Sequence, residues 1–147
     1  GFAMALFSLA GGIFSIPFGY ISDRYRNRRV LASAGGIIAA VLSYFFLTLS
    51  TYDLIPYLLG GMGIAFYPYW SLQIAMSQES VSKEKMGTIT GIMQNAAQMS
   101  GIIGPPLVGL LIGSFGFMTA LNLGISFPLA IYGLLILAWK PPRRIRR

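Results

Sequence analysis

Three observations predict an all-α polytopic membrane protein. Hydrophobic residues make up 55% of the chain and charged residues only 10%, with a mean hydropathy of +0.68, values of membrane rather than soluble chains. The apolar residues gather in five stretches, at about 2–22, 30–50, 54–78, 87–113 and 117–138, each near the roughly 20 residues that cross about 30 Å of hydrocarbon. All eleven Lys and Arg residues fall between or after these stretches. In lipid each stretch must be a helix, because only a helix satisfies its own backbone within one segment.

The linkers alternate in charge. The first carries Arg24, Arg26, Arg28 and Arg29, and the third carries Lys83 and Lys85. The second, Ser50-Thr51-Tyr52-Asp53, and the fourth, around Ser114-Phe115-Gly116, hold no base. Lys140, Arg143, Arg144, Arg146 and Arg147 close the chain. By the positive-inside rule the first and third linkers and residues 140–147, a basic tail, are cytoplasmic, and the amino end is outside. The resulting division is a membrane domain over 1–139 and a tail over 140–147. The net charge of +7 is thereby explained by topology, so no nucleic-acid partner is expected. Gly-Phe-Ala-Met is not expected to be a signal peptide, as it has neither a basic start nor a cleavage site.

The first helix carries Gly11, Ser15 and Gly19 at a spacing of four, a small-residue stripe that lets another helix approach closely, and Pro17 inside the span favours a bend. The second, Val30 to Leu49, is bland and reads as lipid-facing. The third differs. Tyr67-Pro68-Tyr69-Trp70-Ser71-Leu72-Gln73 sets hydrogen-bonding side chains at mid-membrane depth, with Phe66, Tyr69, Trp70, Gln73 and Ser77 on one face. A buried amide costs free energy unless it finds a partner or lines an aqueous cavity, and for Gln73 both readings stay open. In the fourth helix Ala97, Gly101, Pro105, Gly109 and Gly113 recur every four residues, with Gln94 and Gln98 beside that stripe. The fifth holds Asn122 and Pro128, is otherwise peripheral in character, and stops at Trp139-Lys140.

The charged hairpin Gly19 to Leu31 resembles loop motif A of the major facilitator superfamily, G-x-L-A-D-R-x-G-R-R-x-x-L. Gly19, Asp23, Arg24, Arg28 and Leu31 fall in register, whereas Arg26 and Asn27 depart from the usual glycine and base. The fourth helix resembles motif C of the antiporters in that superfamily through Gly91, Gly104, Pro105 and Gly109, with Ser100 and Val108 in place of two glycines. Gly101 belongs to the same packing stripe. A half of such a transporter has six spans, so the resemblance implies that five spans form a partial half, two to six or eight to twelve. Leu58 to Gly63 lacks the membrane arginine of an amino-terminal half, which favours eight to twelve.

The resemblance implies secondary active transport of a small solute by alternating access, in a multi-pass protein of the plasma membrane working with the missing other half. It implies that Tyr69, Trp70 and Gln73 of the third helix and Gln94, Asn95 and Gln98 of the fourth contact solute in a central cavity. It also implies that Asp23 helps close the inward gate by approaching the positive end of a helix in the opposite half. Such a contact is worth roughly 0.3–1 kcal/mol when exposed and up to about 2 kcal/mol when partly buried. A non-transporting scaffold or receptor of the same architecture is the alternative. An enzyme is not expected: the chain has no Cys and no His, and its predicted spans hold no carboxylate, so no catalytic residue, metal or cofactor is assigned.

Overall fold

The computed structural model describes residues 1–25, 27–48 and 52–139. Arg26 of the hairpin, Ser50 and Thr51 of the second linker, and the basic tail 140–147 lie outside the described residues. The described residues hold five long helices and no strand. Helix α1 spans Phe2–Tyr25, α2 Arg28–Thr48, α3 Ile55–Glu79 and α4 Met86–Phe115. Helix α5, Phe117–Ala138, runs through a π-helical turn over Asn122–Ser126.

Local chemistry sets the ends. Pro56 sits in the first turn of α3, where its missing N–H costs nothing. Short 3₁₀ turns at Tyr52–Leu54 and Lys83–Lys85 lead into α3 and α4. Helix α4 stops at Gly116, whose φ of +80° suits a residue without a Cβ. Its N–H closes the last turn on the Ile112 carbonyl at 3.0 Å, and its own carbonyl accepts the Ala120 N–H at 3.0 Å to open α5. The π-turn ends just before Pro128. A wider turn there keeps the proline ring off the carbonyls behind it.

Among the described residues four helices, α1, α2, α4 and α5, are long and apolar enough to cross a membrane. The polar run Tyr67 to Gln73 lowers the hydropathy of α3. Its 25 residues still extend about 37 Å, and it lies at the centre of the bundle, with α1 against one side and α2 against the other. Helix α5 packs on α2, and α4 meets the end of α3 and the start of α5. The core, Ala32, Tyr69, Leu72 and Ile136, joins α2, α3 and α5.

Glycine sets these contacts. A Cβ on Gly63 would stand 2.1 Å from the Phe7 carbonyl oxygen, and one on Gly11 2.3 Å from the Tyr67 ring. The stripe on α1 thus works at Gly11, while Gly19 faces open space. On α2, Gly36 admits the Tyr69 ring and approaches Gly133 of α5. Helices α2 and α5, expected at the periphery, therefore bury one face each. Their small residues look bland in sequence because the partner that covers them is far along the chain.

Candidate functional site

Two groups of candidate residues lie in different parts of the bundle. The first is at the hairpin end. Asp23 closes α1, Arg28 opens α2 and Glu79 closes α3, so three helix ends converge. The Arg28 guanidinium donates through Nη2 to Asp23 Oδ1 and through Nη1 to Glu79 Oε1 at 2.6 Å. Two carboxylates held by one planar fork form a cluster that orients all three ends. The Arg28 side chain is 26% exposed and that of Asp23 66%, so the arginine is the embedded member and the aspartate faces outward. Arg24 is exposed, and Gly19 has no neighbour where a Cβ would stand. Ser22, one residue before Asp23, is fully buried with no partner for its hydroxyl among the described residues.

Sequence reasoning missed Glu79. The available signal was that it is the acid ending the third span, on the side where the charge alternation puts the hairpin. Arg29 likewise reads in the sequence only as a topological charge. Its Nη1 donates to the Trp139 carbonyl at 2.8 Å, capping the exposed end of α5.

The second group lies within the spans. Tyr69 is buried with its ring over Gly36 and edge-on to Tyr132, centroids 6.3 Å apart. Gln73, one turn on, is 6% exposed, and its Nε2 has no close hydrogen bond among the described residues. It borders a cavity of about 400 Å³ walled by Met76, Ile89, Tyr132, Ile136 and Trp139. Trp70, half-buried, is on the neighbouring position of α3. Gln94, Asn95 and Gln98 stand on α4 with their side chains exposed, as does Pro105. A Cβ on Gly91, Gly101, Gly104 or Gly109 would meet nothing within 4 Å. Tyr69 and Gln73 thus share the packed interior of α3, whereas the α4 candidates and the glycine stripe are uncovered. Helices α3 and α4 are tied near the hairpin end by Gln78 Nε2 donating to Thr90 Oγ1 at 2.8 Å.

An arrangement of this kind can hydrogen-bond a solute or a neighbouring helix through three amides on one helix, and can fasten helix ends through one arginine. Residues 1–147 match the family model described as Major Facilitator Superfamily. No curated protein and no solved structure matches the chain.

Proposed function

Because the chain belongs to the Major Facilitator Superfamily, a family of membrane transporters, we propose that it moves a small solute across the plasma membrane by alternating access, powered as a secondary carrier. The observation that carries this reading is the exposed run Gln94, Asn95 and Gln98 on a helix with the length and hydropathy of a membrane span. Three amides at that depth would be costly against lipid and are favourable against a water-filled path or a polar solute. Helix α4 therefore lines the route, with the second half of the transporter opposite it.

The described spans offer amides, a tryptophan and tyrosines, which suit hydrogen bonding and stacking with a neutral or amphiphilic solute. Gating falls to the hairpin. Its cluster lies on the cytoplasmic side, where the Arg28 fork holds the Asp23 carboxylate at the end of α1, ready for the positive end of a helix in the opposite half. The fork joins Asp23 to α3 through Glu79, so a gate contact at Asp23 reaches the central helix directly.

The test is uptake by the full-length protein in proteoliposomes against a panel of neutral and amphiphilic solutes. Gln94→Leu with Gln98→Leu is expected to abolish uptake of the transported solute with insertion intact. Asp23→Asn is expected to slow turnover without changing the solute preferred. A wild-type protein that binds a solute and never moves it would identify a non-transporting receptor instead.

A further inference from the structure

Helix α5 packs chiefly on α2 and α4, with Tyr132 and Ile136 also reaching Tyr69 of α3, and the balance between α2 and α4 changes at the π-turn. From Ser126, the last residue of the turn, to Trp139 it is fastened to α2 at three levels. Arg29 Nη1 holds the Trp139 carbonyl at 2.8 Å. Gly133 lies so close to α2 that a Cβ there would sit 3.1 Å from Ile37 Cγ1 and 3.3 Å from the Ser33 carbonyl oxygen. The Ser43 hydroxyl meets the Ser126 hydroxyl at 3.1 Å. Before the turn, Phe117–Leu121 packs mainly on α4 and touches α2 only lightly. Within the turn, Gly124 receives α4, since a Cβ there would stand 2.7 Å from Val108 Cγ2.

The turn itself is a buried, fully connected polar relay. Ser126 spends its only hydroxyl proton on Asn122 Oδ1 at 2.9 Å, so Ser43 must be the donor to Ser126. Asn122 Nδ2 then donates to the Met118 carbonyl at 3.1 Å. Ser43, Asn122 and Ser126 are all buried, so these bonds are made away from water. One added residue in a turn rotates the remainder of the helix by about 100°, which is how one helix presents successive faces to two partners.

We propose that the Asn122–Ser126 turn is a pivot, at which α4 and the outer end of α5 swing as a unit against a body made of α1, α2, α3 and the rest of α5, with the Gln78–Thr90 tie to α3 as the fixed point at the other end of α4. The Ser43–Ser126–Asn122 relay sets the resting angle. The proposal supplies a motion inside one half of the transporter, and it rests on the transport reading only for its purpose. Helix α4, which carries the three exposed amides, is the part that moves.

The experiment is pulsed electron spin resonance on the full-length protein in lipid nanodiscs, without added solute. One pair of labels joins α2 to α4 (Ile38→Cys, Leu107→Cys) and a second joins α2 to the strapped part of α5 (Ile38→Cys, Leu134→Cys), all at exposed positions. The first pair is expected to show two distances and the second pair one. Ser126→Ala is expected to change the ratio of the two distances by roughly threefold to fifteenfold, the span of one interhelical hydrogen bond. Ser126→Thr, which keeps the hydroxyl, is expected to restore the ratio. Gly124→Ala, which pushes on Val108, moves the same ratio by a second route and decides the matter if the serine variant fails to fold. A single α2–α4 distance common to wild type and variants would overturn the pivot, as would an α2–α5 distance that changes alongside it. A protein that pivots and transports nothing would overturn only the transport reading.

Discussion

Helices α2 and α4 are both long, apolar and studded with glycine, yet their surroundings are opposite. In the most apolar window of α2, 39% of residues are buried, against 0% for α4. The glycines Gly35 and Gly36 of α2 are pressed against Tyr69 of α3, while Gly91, Gly101, Gly104 and Gly109 of α4 have open space where a Cβ would stand. The difference teaches that small residues in a membrane helix mark a place of close approach without saying which partner approaches. On α2 that partner is within these residues. On α4 the stripe lies beside three exposed amides, and the covering surface is to be sought outside the described bundle.

Substitutions break this comparison in order of size. The largest effect is expected from Gly63→Val, because the added Cβ would meet backbone, the Phe7 carbonyl oxygen, which cannot rotate away. Overpacking of this kind costs about 3 kcal/mol, and α1 should separate from α3, read as loss of a Leu6→Cys to Gly60→Cys cross-link in the full-length protein. Gln73→Leu is expected to act in the opposite direction. It removes a buried amide nitrogen with no close hydrogen bond among the described residues, and stability against denaturing detergent should rise by about 1–2 kcal/mol. A fall instead would show that Gln73 is held by the Tyr69 hydroxyl beside it or by an acceptor outside the described residues.

Arg28→Ala ranks next. It leaves the Asp23 and Glu79 carboxylates without the fork that joins them, at a cost of about 1 kcal/mol, discounted because the Asp23 side is largely exposed. The deficit should shrink in high salt, when the wild-type cluster is screened too. The smallest change in stability is expected for Gly104→Ala, near zero by the same detergent titration, since nothing surrounds that position here. Its sharper readout is uptake. A normal fold with reduced transport would show that the stripe on α4 meets a partner only in the working transporter.

The sequence carried the helical content and the order of the spans, because hydropathy and the placement of bases are properties of single residues. Asp23 and Arg28 were legible as a motif. Glu79 was not, because its pairing with Arg28 joins positions 51 residues apart and nothing local announces it. The burial of α2 escaped for a related reason: Ala32, Gly36, Ala39 and Ala40 read alike whether lipid or a glycine-rich helix lies opposite. Asn122 and Pro128 stand out in the sequence only as separate residues. The widened turn between them is bonded to Ser43 of another helix, and a single-helix pattern does not contain that information.

The serine pair at Ser43 and Ser126 has a consequence for biosynthesis. A ribosome adding about 5–20 residues per second completes the 83 residues between them in about 4–17 s. Throughout that interval α2 can already be in the bilayer with a hydroxyl that its final neighbour has yet to reach. The Arg29 contact must wait longer still, for the carbonyl of Trp139, 110 residues downstream. The α2–α5 side of this bundle is therefore the last to close. A nascent chain arrested before α5 would display that face to the insertion machinery, where quality control can distinguish a stalled chain from a finished one.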